Sequence, residues 1–104
     1  MAYRSDIVIA MRPDVYENMP EDIFRAFKTY WDEPTKVEKD RVVFFGENIA
    51  WYKFDESDII QCYLETLNEI DYAFIELGED WNDAPYIMGD ICGFNINLIR
   101  QIEV

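Results

Sequence analysis

The sequence predicts an α+β fold, a two-layer sandwich in which two helices cover one face of an antiparallel-dominated sheet. Three observations carry this expectation. Apolar runs rich in β-branched and aromatic residues, at 7–11, 42–45, 49–54, 72–77 and 94–104, are interleaved with two segments whose apolar residues recur every three or four positions. Half of the 104 residues are hydrophobic and 16% are aromatic, enough to bury roughly 60–70% of the unfolded surface in one core. No internal repeat, low-complexity segment or linker interrupts the chain, so residues 1–104 read as a single domain.

The first strand is expected at 7–11, a continuous apolar run bounded by Asp6 and by Arg12-Pro13, as for a strand buried on both faces. Asp14 and Glu17 fit a short capped turn, and Pro20, Glu21 and Asp22 fit the first turn of a helix reaching about Trp31. Ile23, Phe24, Phe27, Tyr30 and Trp31 gather on one side of that helix, which therefore faces the core. Residues 32–40, DEPTKVEKD, are polar and contain a proline, the pattern of a connecting loop.

Next comes an expected hairpin. Two β-branched and aromatic runs, 42–45 and 49–54, flank Gly46-Glu47-Asn48. Asp55 or Ser57 can cap a second helix to about Ile70, with Ile60, Tyr63, Leu64 and Leu67 as its apolar stripe. Strands at 72–77 and 94–104 close the chain. In the last, Phe94, Ile96, Leu98 and Ile102 alternate with Asn95, Asn97, Gln101 and Glu103. This order is the ferredoxin-like split βαβ arrangement (β-α-β-β-α-β) with an extra C-terminal strand. Two helices on one face leave the other, with Val8, Ala10, Tyr52 and Phe74, open to docking or self-association unless a loop crosses it.

Charge is the most informative feature. The net charge is −13. Residues 1–53 nearly cancel, with ten acidic and eight basic side chains, whereas residues 54–99 hold eleven acidic side chains and no Lys or Arg. A 100° step per residue places Asp58, Glu65 and Glu69 within about 40° of one another, opposite the apolar stripe. Turns rising about 5.4 Å give such a ridge a charge density comparable with a nucleic-acid backbone. Glu76 and Asp90 extend the acidic block. The loop 78–93 adds Glu79, Asp80 and Asp83 around Trp81 and Tyr86, the composition of an aromatic anchor with an electrostatic rim. A solvated helix face and a loop packed on the core are the plainer alternatives. Against the first, like charges at helical spacing repel, and this half has no interspersed cation.

Other chemistries are opposed by the residues. There is no histidine, the usual general base near neutral pH, and the only serines are Ser5 and Ser57, so no catalytic residue is assigned and an enzyme is not expected. Cys62 and Cys92 stand apart, without a C-x-x-C, and read as free buried thiols. Counted from Asp80, a calcium loop would need a ligand at position five and glycine at six, where Ala84 and Pro85 stand, so no metal or other cofactor is expected. A chain this acidic opposes direct nucleic-acid binding. No apolar run approaches a membrane span and the N-terminus lacks a cleavage site, so a cytoplasmic location is expected.

The segments AYRSDIVIA, IAWYKF, DIIQCYLETLNEI running into DYAFIELGED, and GFNINLIRQIEV together resemble a group of small acidic proteins encoded by bacteriophages and prophages. The likeness covers the strands and the second helix, about two-thirds of the chain. It implies a bacterial host cell and a role in blocking a host nuclease, restriction enzyme, CRISPR effector or polymerase, some such proteins imitating DNA. It transfers no catalytic residue. The charge pattern, taken by itself, points to a positively charged, nucleic-acid-binding protein as partner. The alternative is an assembly module that forms a homodimer through the open sheet face.

Overall fold

The computed structural model describes residues 4–51, 56–78, 85–98 and 102–103. In chain order its elements are β1 (Arg4–Met11), α1 (Pro13–Glu17), α2 (Glu21–Lys28), β2 (Lys36–Val37), β3 (Val42–Ala50), α3 (Glu56–Glu65), β4 (Tyr72–Gly78), β5 (Tyr86–Gly89), β6 (Asn97–Leu98) and β7 (Ile102–Glu103). β1 is central. Its residues Ile7, Val8, Ile9, Ala10 and Met11 are fully buried, as the unbroken apolar run requires of a strand covered on both faces. It pairs antiparallel with β3 on one side and with β4 on the other, and the five-stranded sheet has the order β2-β3-β1-β4-β5.

The α+β class and the antiparallel sheet agree with the sequence, but the strand connections differ from the ferredoxin-like expectation. That arrangement sets two parallel strands side by side at the centre, whereas both neighbours of β1 run antiparallel to it. The difference begins at Gly46-Glu47-Asn48, expected as a hairpin turn. The chain passes through these residues as one strand with a bulge: Ser5 faces Ile49 but Ile7 faces Gly46, so β3 carries one extra residue. Asn48 takes φ 55°, tolerated by Asn, and its N–H donates to Asp6 Oδ1 at 3.1 Å. A bulge at a Gly-x-Asn has the same local signature as a turn, and only the pairing with β1 separates them.

Three helices pack on the Ile7, Ile9 and Met11 face. Ile23, Ala26 and Phe27 of α2 and Ile60 and Leu64 of α3 meet Phe44, Trp51, Tyr72 and Phe74 there, with Val15 and Tyr16 of α1 against the same cluster. Aromatic rings fill this layer. Phe27 and Phe44 lie 4.7 Å apart, Tyr30 and Trp51 5.1 Å, and Trp51 and Phe74 6.0 Å, within the range where tilted aromatic pairs attract.

The opposite face is closed, which decides between the two alternatives left by the sequence, an open face and one crossed by a loop, in favour of a covering segment. Phe94 and Ile96, with Ile91, cover Val8, Ala10, Val43, Ala73 and Ile75. Phe74 belongs to the helix face instead, and Tyr52 lies outside the described residues. This cover arises because residues 91–95 form turns rather than the start of a long strand. Asp90 Oδ1 accepts from Gly93 N–H at 2.9 Å, and Asn95 takes φ 59°, both of which end an extended run. β6 and β7 make a separate two-stranded sheet. The loops expected at 32–40 and 78–93 also contain the two edge strands, β2 and β5. Cys62 and Cys92 are free but exposed, not buried. No helix among the described residues is long and apolar enough to cross a membrane.

Candidate functional site

The acidic residues singled out in the sequence fall into three places. Asp58 and Glu65 lie on α3, Asp58 half-buried and Glu65 exposed. Glu69 does not share their helix, because α3 ends at Glu65 rather than near Ile70. There Thr66 Oγ1 donates to the Tyr63 carbonyl at 2.6 Å, Leu67 N–H reaches Leu64 O at 3.0 Å, and Asn68 Oδ1 takes the Ile70 N–H at 3.3 Å. Such local bonds compete with helix continuation. The three-residue ridge is therefore a helical pair followed by an exposed acid in a turn.

The Tyr72 hydroxyl is raised in pKa by burial first, then by the charges of Glu69 and Glu65 and by Tyr86, so each of these three residues acts on Tyr72. Tyr86, on β5, stands edge-on to Phe74 at 6.1 Å and is 46% exposed. Across the register Tyr86 faces Glu76. Glu76 is half-buried, and burial pushes its carboxyl above the usual range, while a hydrogen bond from the Ser5 hydroxyl at 3.2 Å acts in the opposite direction.

Asp90 stands apart. Its carboxylate holds the Gly93 N–H, its backbone N–H donates to Tyr72 O, and its carbonyl accepts from Phe94 N–H, so it ties β4 to the turn that covers the Val8 and Ala10 face. Glu79, Asp80, Trp81 and Asp83 lie outside the described residues.

Cations are sparse around these acids. Arg12 lies 3.5 Å from Asp71 and 3.8 Å from Asp14, Arg25 pairs with Glu21, and Arg41 with Glu38. Among the described residues, Asp58, Glu65, Glu69, Glu76 and Asp90 have no salt-bridge partner. Sequence reasoning missed Arg41, whose surroundings are 53 residues apart in the chain. Its Nη1 donates to the Phe94 carbonyl at 2.7 Å and its Nε to Glu38 at 2.6 Å. A polar cleft of about 110 Å³ lies beside it, lined by Glu38, Asp40 and residues 93–95. Arg41 is committed to holding the covering turn, which makes the cleft a structural seam.

The comparisons with known proteins are empty: no family model, no curated protein and no solved structure matches the chain. Geometry and charge alone carry a functional reading. They describe an acidic, aromatic-lined margin of the sheet formed by the α3 C-terminus, the turn after it, and the Glu76 and Tyr86 pair. Among the described residues no cluster of three metal-binding side chains occurs.

Proposed function

We propose that the chain is a non-catalytic binding protein whose acidic C-terminal half occupies a Lys/Arg-rich surface of a nucleic-acid-handling protein and excludes nucleic acid from it. A CRISPR effector, restriction enzyme, other nuclease or polymerase fits the resemblance to small phage-encoded acidic proteins. One observation carries the reading: the charges of Glu65 and Glu69 both bear on the buried Tyr72 hydroxyl, and the 46-residue stretch that holds them, 54–99, has no Lys or Arg. Uncompensated acids repel one another and gain most from an external cationic surface, while Tyr86 offers an aromatic contact at its centre.

Self-association through the sheet face loses its support, because Phe94 and Ile96 cover Val8 and Ala10. A test is affinity capture from bacterial lysate at low and high salt, followed by a DNA-binding assay on whatever is captured. The expected result is a nucleic-acid-binding protein that is released by salt and loses DNA binding when the acidic chain is added. Recovery of the chain itself alone, at either salt, overturns the reading.

A further inference from the structure

We propose that the outer edge of β5 accepts an extended, Lys/Arg-rich segment of a partner protein, which adds to the sheet as a sixth strand beside the acidic margin. The inference rests on the acidic-surface reading above and specifies how that surface engages its partner.

The backbone supplies the first half of the argument. Arg12 N–H donates to Asp71 O at 3.1 Å and Asp90 N–H donates to Tyr72 O at 2.9 Å. Hydrogen bonding alternates along an antiparallel pair. The first bond, carried up the β1–β4 register, turns the backbones of Ala73 and Ile75 toward β1 and leaves Phe74 and Glu76 to β5. The second fixes the same phase from the other side, since Phe74 faces Met88 and Glu76 faces Tyr86. Tyr86 and Met88 thus bond inward. The N–H and C=O groups of Ile87 and the carbonyl of Gly89, which lies opposite the inward Asp90 N–H, point away from the sheet, and β5 is the last strand in its order. Among the described residues no strand pairs with that edge.

Side chains and charge supply the second half and select the occupant. Tyr86 and Ile87 are 46% and 43% exposed and lie on opposite faces of β5, where they can flank alternate side chains of an added strand. Glu65, Glu69 and Glu76 lie on the Tyr86 side, and no Lys or Arg occurs from 54 to 99. A second copy of this chain would bring another −13 charge and the same acids against this margin, whereas a cationic strand meets complementary charge.

The test uses fluorescence anisotropy with two labelled ten-residue peptides of alternating Lys and Val, equal in charge, one N-methylated at every amide so that neither edge can donate a hydrogen bond to β5. The unmethylated peptide is expected to bind the intact protein on the order of tenfold more tightly than the methylated one, with both weakened by salt. Ile87→Pro, which removes an outward N–H and no ladder bond, is expected to abolish that difference. Because the two peptides are compared on the unaltered protein, the test stands even if the variant does not fold. Equal, salt-sensitive binding of both peptides overturns strand addition and leaves the acidic surface intact. Binding of neither overturns both readings. A protein dimer in light scattering that Ile87→Pro dissociates gives the edge to a second copy and overturns the proposal.

Discussion

The Ser5 hydroxyl donates to Glu76 Oε2 at 3.2 Å across the β1–β4 pair, with Ser5 only 1% exposed and Glu76 half-buried. The carboxylate sits on the helix face of β4, in line with Tyr72 and Phe74, where an apolar residue would ordinarily stand.

This placement sets a pH dependence. Burial raises the folded-state pKa of Glu76 above its unfolded value, so the folded protein holds that proton more tightly. Its contribution is fully present below the ordinary carboxylate range and is lost as pH rises through the folded value. Glu76→Gln keeps an acceptor for Ser5 and removes the charge. It is expected to gain under about 1 kcal/mol at pH 7, discounted for partial exposure, with no gain at acidic pH. Urea midpoints measured from pH 7 down to pH 4 check this, and a gain that grows on acidification would contradict it.

Gly89 fixes the end of β5. It takes φ +75°, and a Cβ there would lie 2.2 Å from the Tyr72 carbonyl oxygen, against rigid backbone in the neighbouring strand. The residue after it, Asp90, anchors the covering turn. Gly89→Ala is expected to cost about 1–3 kcal/mol or more from the strained φ alone. Hydrogen exchange should show the loss first at residues 86–94. Unchanged urea stability would show that β5 is not held as described.

Phe94 closes the Val8 and Ala10 face, and Arg41 holds the covering turn through its bond to the Phe94 carbonyl. Phe94→Ala is expected to cost about 3–5 kcal/mol. It should also uncover Val8 and Ala10, so that partly stable variants bind a hydrophobic dye and associate in light scattering. Arg41→Met should give a milder loss of about 1–3 kcal/mol, since it leaves the carbonyl and Glu38 without their donor. A monomeric Phe94→Ala variant of parental stability would remove the covering role.

The sequence made the local signals legible and concealed the pairings. Ile7 to Met11 and β4 follow from their apolar runs, which suit strands covered on both faces, and the stripes on α2 and α3 follow from their three- and four-residue spacing. Gly46 to Asn48 misled because a bulge and a turn use the same residue types, and the partner strand is 40 residues away. β2 and β5 were missed because edge strands are short, and the two residues of KV and the four of YIMG carry little period-two signal. In the candidate site, the acids were legible from composition. That Glu69 leaves the helix was not, since it depends on the hydrogen bonds of Thr66 and Asn68.

The acidic margin itself gives the sharpest functional expectation. Glu65→Lys with Glu69→Lys reverses two exposed charges near Tyr72 and Tyr86, while Glu17→Lys with Glu33→Lys makes the same change in net charge on exposed residues of the N-terminal half. If net charge alone drew the partner, the two double variants would weaken binding equally. If the local field does, the first should lose on the order of tenfold or more in affinity, and the second much less at physiological salt, where exposed charges farther apart than about 8 Å are screened. Isothermal titration against the captured partner at two salt concentrations separates the cases. Equal losses in both variants would place the interaction in the overall charge of the chain rather than at the margin of β4 and β5.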